Sequence, residues 1–392
     1  MNQPVIVGAK RTPLGSFLGE LSSFSAVDLG KAVVENIIAA NPNFYTNTSL
    51  VVMGNVLPAG VGQNLARQIA LKAGLDQSVD AWTLNKVCGS GLKSVMMVAD
   101  QIKLGNIQLG IAGGAESMSN APMLLPKVRQ GYKYGSQTLL DHMALDGLED
   151  AFSPAGTSMG ILAEAMAQRY GFSKDQQDAY TLESTQRAIN AVQNGTFKDE
   201  VISIEVGGRQ PFTVESDEGP RRAKPEKIPT LKPAFQKDGT ITAASASPIS
   251  DGAAAVSVCS EEYAKANGMP ILGRIMGYAT HSQKPEEFTI APVGAVKKLL
   301  DQLKWSENDV DLFEVNEAFS MVPMVLMQEL NVSHKKINVK GGAVALGHPL
   351  GASGARVLVT LLYALKQREL KRGIATLCIG GGEGVALAVE LV

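Results

Sequence analysis

Asn85-Lys86-Val87-Cys88-Gly89-Ser90-Gly91-Leu92-Lys93-Ser94 sets a thiol between a short apolar approach and a Gly/Ser turn that opens into a helix. Leu92, Val95, Met96, Ala99 and Ile102 follow at helical spacing, and Gly105 ends the run. A thiol at the N-terminus of a buried helix feels the positive end of the helix dipole and unpaired backbone N–H groups. Both favour thiolate, the reactive form of cysteine. Gly89 and Gly91 leave room for a ligand to approach the sulfur. Two readings follow: Cys88 as a nucleophile, or as a small core residue packed under a helix start.

Upstream, Val5–Val7 reads as a first strand and Lys10–Gly15 as a loop. Ser25 can cap a helix through Val27, Leu29, Val33, Val34 and Ile37, with Asp28 in its first turn. Leu50–Val56 reads as a buried strand, Asn64–Ala73 as a helix, and Trp82–Leu84 as the strand entering Cys88. Downstream, the strand Ile107–Ala112 ends in Gly113-Gly114-Ala115-Glu116-Ser117. This alternation predicts a layered α/β unit with a largely parallel sheet.

Much further on the pattern returns. Gly351-Ala352-Ser353-Gly354-Ala355-Arg356, a helix to Gln367 and a strand to Cys378-Ile379-Gly380-Gly381-Gly382-Glu383 match the Cys88 turn, its helix and the strand to Glu116. Leu312-Phe313-Glu314-Val315-Asn316-Glu317 likewise echoes Val51-Val52-Met53-Gly54-Asn55-Val56. The spacing is too long for a solenoid, so the chain reads as a duplicated unit with equivalent turns facing a shared pocket. Between the copies, from about Ser119 to Ser247, buried strands fade and polar turns multiply. Helices are expected near Met159–Tyr170 and Lys174–Asn194, the second opened by a capping box at Ser173–Gln176. The basic stretch Arg221-Arg222-Ala223-Lys224-Pro225-Glu226-Lys227 suits an anionic ligand or a solvated loop.

Composition sets the outer limits. The 392 residues carry a net charge of −2, with 45% hydrophobic and 19% charged residues, which suits a large core and gives no global nucleic-acid or membrane footprint. Three cysteines make no disulfide framework, and no leader or long apolar span is read, so a cytoplasmic protein is expected.

Three more positions carry chemistry. Asn316-Glu317-Ala318-Phe319-Ser320 lies where a strand gives way to a helix, so the Asn316 amide can cap that helix or hold a water or an oxyanion. Gly347-His348-Pro349-Leu350-Gly351 puts one of only four histidines in a rigid loop ahead of a helix. Cys378 ends a strand just before three glycines.

Asn85–Leu92, Asn316–Ser320, Gly341–Arg356 and Cys378–Gly384 together resemble the signature segments of thiolases, and the resemblance runs in order along nearly the whole chain. It implies an α/β fold of two similar halves in a duplicated five-layered αβαβα core, with an inserted loop domain. The halves would be residues 1–118 with 249–270, and residues 271–392, with the loop domain at 119–248. It implies an acetyl-CoA C-acetyltransferase that interconverts two acetyl-CoA with acetoacetyl-CoA and CoA. Cys88 would be the nucleophile, His348 would lower its pKa and take its proton, and Cys378 would be the acid/base at the acetyl α-carbon. His348 with a water on Asn316, and the N–H groups of Cys88 and Gly380, would form two oxyanion holes.

Coenzyme A, as substrate and product, would contact Tyr180, Arg222, Ala223, Lys224, Lys227, Phe235, Ser247 and Phe319. No cofactor is needed for the chemistry. Several segments resemble the mitochondrial-type acetoacetyl-CoA thiolases, which implies a potassium ion on Tyr180 and the backbone of Ala243, Ala244, Ala246 and Val344. A homodimer or homotetramer is implied, with Lys127–Gln137 as a tetramer contact. Two departures stand out: Ser158-Met159-Gly160 replaces His-Met-Gly, and Ser245-Ala246-Ser247-Pro248 replaces Asn-Ala-Ser-Gly. The alternatives are a thiolase for longer 3-ketoacyl-CoA and, more remotely, an inactive CoA- or lipid-binding relative.

Overall fold

A computed structural model describes residues 2–41 and 43–392. Among the described residues, ten strands form one continuous sheet. From one edge its order is Leu312–Val315, Arg372–Ile379, Glu383–Glu390, Gly273–Ser282, Pro4–Arg11, Ser250–Ser260, Leu109–Ser117, Leu50–Gly54 and Asp80–Leu84, with Gly15–Ser16 beside Ser250–Ser260. Among the described residues its two parts are joined by a short antiparallel pairing of Val5 and Ile6 with Arg274 and Gly273.

The expectation of a largely parallel sheet is corrected. Leu50–Gly54 pairs parallel to both of its neighbours and Leu312–Val315 to Arg372–Ile379, while the other pairings are antiparallel. The strands Ser250–Ser260, Gly273–Ser282 and Glu383–Glu390, absent from the sequence reading, supply the antiparallel partners. Alanines 253–255 and small residues elsewhere weaken their strand signal.

Alternation along the strands sorts the core into three clusters and defines the layers. Val5 and Val7, Val51 and Met53 pack outward against the helices Ala26–Ala39 and Leu65–Lys72. Ile6, Leu50 and Val52, with Leu377, Val385 and Leu387, pack inward on the helices Ser90–Lys103 and Leu350–Gln367. Ile374, Ala386 and Ala388 face Ala291–Leu303 and Met321–Leu330 on the far side. Helix, sheet, paired central helices, sheet and helix give the five layers.

The two central helices cross at glycines. A Cβ on Gly91 would lie 2.7 Å from the backbone N of Ala355, and one on Gly354 would lie 2.2 Å from that of Leu92. The N-terminal ends of both helices are thereby brought together, and with them the turns that carry Cys88 and His348. Residues 119–249 lie outside the sheet. They hold two short hairpins and the expected helices Met159–Arg169 and Lys174–Gln193, the latter with its capping box. No helix among the described residues is long and apolar enough to cross a membrane.

Candidate active site

Cys88 occupies a tight turn ahead of its helix. Ser90 fastens this turn: its hydroxyl donates to the Val87 carbonyl at 2.7 Å and accepts from the Lys86 N–H at 2.8 Å. Val87 is held at φ +46°, a left-handed conformation that β-branched residues avoid, so backbone strain sits directly beside the thiol. Gly89 backs onto Ile379, where a Cβ would come within 2.4 Å of the side chain. The Cys88 turn is thus seated on the strand end that carries Cys378 and Gly380.

Cys88, His348 and Gly380 open onto one cavity of about 390 Å³. Its other walls are mainly apolar and include Leu148, Met159, Phe288 and Leu350, with Phe235 and Phe319 packed edge to face at 5.8 Å. Ser158, Ala243, Ala246, Ser247 and Pro248 also line it, so both departures from the family pattern lie on its wall. The Gly380 N–H acts on the Cys88 thiol and favours its ionised form.

His348 is almost fully buried, and its Nδ1 lies 2.6 Å from Ser353 Oγ. The same hydroxyl is 2.9 Å from the Pro349 carbonyl. When it donates to Pro349 it accepts from Nδ1–H, and Nε2 is a base. When it donates to Nδ1, Nε2 carries the proton and is a donor. Asn316 is fully buried, with Nδ2 at 3.4 Å from both imidazole nitrogens. It does not cap the following helix, which begins at Met321. Arg356 pairs with Glu314 at 3.0 Å and reaches within 3.5 Å of Asn316 Oδ1.

Electrostatics correct one expectation. Burial pushes the Cys88 thiol up to about 11, against the pull of the Gly380 and Cys88 N–H groups and with a further push from Glu116. Desolvation outweighs the helix-terminus effect, and the resting group is a thiol. Burial, aided by Arg356, pushes His348 down to about 3, so its resting imidazole is neutral. Cys378 is fully buried and is not on the cavity wall; burial, and then Cys88, hold its thiol well above the ordinary range.

A second cleft of about 350 Å³ shares Pro248 with the first. Arg222, Ala223, Lys224, Lys227, Ala244 and Val344 line it. Arg222 is 2.6 Å from the buried Glu218, while Lys224 and Lys227 are exposed and form no ion pair among the described residues. Tyr180 lines neither cleft. Its hydroxyl donates to Glu317 at 2.7 Å and accepts from Asn338 at 3.3 Å, which places it behind the site, away from a ligand in either cleft. Glu317 also accepts from Ser184 and the Val344 N–H. Among the described residues the carbonyls of Ala243, Ala244 and Ala246 accept no hydrogen bond, so they suit a weakly hydrated cation.

Sequence reasoning passed over Ser353, Arg356, Glu116 and Glu317. Ser353 carried a signal, since it stands one helical turn past Pro349, next to His348 in the same loop.

Comparison with known proteins places the chain. Residues 4–262 match the model described as thiolase, N-terminal domain, and residues 269–391 the thiolase, C-terminal domain. An acetyl-CoA acetyltransferase of Pseudomonas aeruginosa is 47% identical over 99% of both chains. A probable acetyl-CoA acyltransferase of Staphylococcus aureus is 45% identical over 100% of this chain and 99% of its own. Acat5 thiolase from Ascaris suum, solved in complex with coenzyme A, superposes with a TM-score of 0.93 at 42% identity over 100% of both chains. Bacillus anthracis acetyl-CoA acetyltransferase gives 0.95 at 37% identity over 100% of this chain and 99% of that one.

Proposed function

The chain belongs to the thiolase family, and from that premise we propose how its residues divide the reaction. It is an acyltransferase that joins two acetyl-CoA into acetoacetyl-CoA and CoA, and runs the same steps backwards as thiolysis. One observation carries the assignment of roles: Cys88, His348 and Gly380 meet on an apolar cavity that shares Pro248 with a cleft edged by lysines.

The cycle starts with a thiol and a neutral imidazole. His348 Nε2 takes the Cys88 proton as the sulfur attacks the acetyl thioester, and the N–H groups of Cys88 and Gly380 stabilise the oxyanion. CoA leaves with the proton of Cys378, and Cys88 is acetylated while His348 keeps the proton it took. For the second half, the Cys378 thiolate so formed removes a proton from the methyl group of another acetyl-CoA. The enolate oxygen receives His348 Nε2–H, with Nδ1–H donated to Ser353, and a water held by Asn316. The carbanion attacks the acetyl-Cys88 carbonyl, the carbon–carbon bond forms, and Cys88 leaves as thiolate and recovers its proton from His348.

Lys224, Lys227 and Arg222 pair with the CoA phosphates, and Ser247, Phe235 and Phe319 flank the pantetheine arm. A potassium ion would bind the carbonyls of Ala243, Ala244, Ala246 and Val344 with the Tyr180 phenol oxygen; it would stiffen the loop that borders both clefts. The halves are residues 1–118 with 249–270 and 271–392, with 119–248 laid over the site. Exposed Val128 within Lys127–Gln137, and exposed Met123, Leu125 and Leu139 on either side of it, support assembly through that arm into a homotetramer. Light scattering tests this, a monomer mass being the contrary result.

Thiolysis of acetoacetyl-CoA with CoA, read as loss of 3-ketoacyl absorbance, tests the reaction. It is run beside a longer 3-ketoacyl-CoA, with and without potassium, together with melting curves in both salts. Preference for the short substrate supports the reading, and preference for the long one replaces it with a broad-range thiolase. A potassium-dependent rise in melting temperature supports the cation site, and its absence contradicts it.

A further inference from the structure

Two carboxylates end the two matched glycine-rich segments, and neither takes part in the chemistry above. Glu116 closes Gly113-Gly114-Ala115-Glu116, and Glu383 closes Gly380-Gly381-Gly382-Glu383. Each reaches the turn that precedes the opposite central helix. Glu116 is fully buried, and its Oε2 accepts from the Gly351 N–H at 2.7 Å, three residues past His348. Its remaining acceptor sites take Val56 and Leu57 N–H at 2.9 and 3.1 Å and Asn55 Nδ2 at 2.6 Å. Glu383 does the reciprocal thing: its Oε2 accepts from Lys86 Nζ at 2.7 Å, two residues before Cys88, while Oε1 accepts from Ser282 Oγ at 3.1 Å.

We propose that Lys86 and Glu383 form a positioning pair that fixes the Cys88 turn against the Gly380 turn, and so holds the thiol at its working separation from the Gly380 N–H. The assignment rests on the reading of Cys88 and Gly380 given above. Beside the Gly380 N–H that acts on the sulfur, these turns meet through Gly89 on the Ile379 side chain and Val87 near Gly380, apolar contacts without direction that set a distance but do not stop a lateral slide. The ion pair supplies the direction. Its side chains are 21% and 32% exposed, and a pair so open to water adds little to stability. Geometry and stability are therefore separable here. Glu116, sealed in the core on the other side, does both at once.

The test compares Lys86→Met, Glu383→Gln and the exchanged pair Lys86→Glu with Glu383→Lys, by steady-state thiolysis and thermal melts, with Cys88→Ala alongside. Each single variant melts as the parent does, loses roughly tenfold to a hundredfold in kcat, and keeps its KM for CoA, as expected when reacting groups are slightly misplaced. The exchanged pair recovers most of kcat. Single variants within about twofold of the parent, or a loss that the exchange leaves in place, would overturn the pairing. An inert Cys88→Ala beside fully active single variants sinks the positioning pair alone, whereas an active Cys88→Ala sinks the nucleophile assignment itself.

Discussion

His348 Nδ1 lies 2.6 Å from Ser353 Oγ, a hydroxyl shared with the Pro349 carbonyl at 2.9 Å. One side chain thereby orients the imidazole so that Nε2 takes the Cys88 proton in one half-reaction and faces the enolate oxygen with it in the other. Ser353→Ala is expected to lower kcat roughly tenfold to a hundredfold, with little change in the KM for CoA, because orientation is lost and binding is not. Ser353→Thr keeps the hydroxyl and should restore most of the rate. Steady-state kinetics on both variants check this, and equal loss in Thr and Ala would contradict it.

The Cys88 thiol, pushed up to about 11 mainly by burial, sets the pH course of alkylation. Above the ordinary thiol value the thiolate fraction still climbs, so the iodoacetamide rate on free enzyme should rise about tenfold per pH unit through neutrality. No plateau is expected below pH ~9. A helix terminus strong enough to favour thiolate would give a plateau near neutral pH. Labelling rates from pH ~6 to ~9, with peptide mapping to Cys88, distinguish the two.

Arg11 is fully buried between Asp217 and Glu200, at 2.6 and 2.7 Å, with Lys340 3.2 Å from the same Glu200. Arg11→Met leaves two carboxylates in the core short of a partner and should cost about 3–5 kcal/mol in unfolding free energy. Burial pushes Glu200 up, but Lys340 and Arg11 outweigh it and hold the carboxylate below its ordinary value. Its contribution is therefore complete above the unfolded carboxylate range and is lost as pH falls through the lower folded value. Arg11→Met should unfold at a higher pH on acidification than the parent, which circular dichroism can follow.

A methyl group on Gly354 would meet the Leu92 backbone nitrogen at 2.2 Å, and one on Gly114 would meet the Gly351 carbonyl oxygen at 1.9 Å. Neither neighbour is a flexible side-chain end. Gly354→Ala should destabilise by at least about 1–3 kcal/mol by forcing the central helices apart, and Gly114→Ala by a similar amount by forcing the helix Leu350–Gln367 off the strand Leu109–Ser117. Urea unfolding measures this, and a variant as stable as the parent would contradict the crossing described.

Much of this was legible in the sequence, because it lay in periodic apolar runs and in turns with unusual glycine content. The helix after Cys88, the duplication and the turn at Gly380–Gly382 come from such signals. Strand direction did not, because Ser250–Ser260 and Glu383–Glu390 are rich in small residues and buried along their lengths, and they read as neither helix nor strand. The helix-terminus argument for a Cys88 thiolate gave the wrong sign, since sequence shows the dipole but not the dryness around the sulfur. The resemblance places Tyr180 on the ligand, yet the Glu317 and Asn338 contacts that turn it inward come from 137 and 158 positions away in the chain.

Acetyl transfer to Cys88 is read by mass spectrometry of the enzyme after brief exposure to acetyl-CoA. One acetyl group per chain is expected on the Cys88 peptide, discharged by added CoA, and none in Cys88→Ala. An acetyl group on another residue, or acetoacetyl-CoA made by Cys88→Ala, would contradict it.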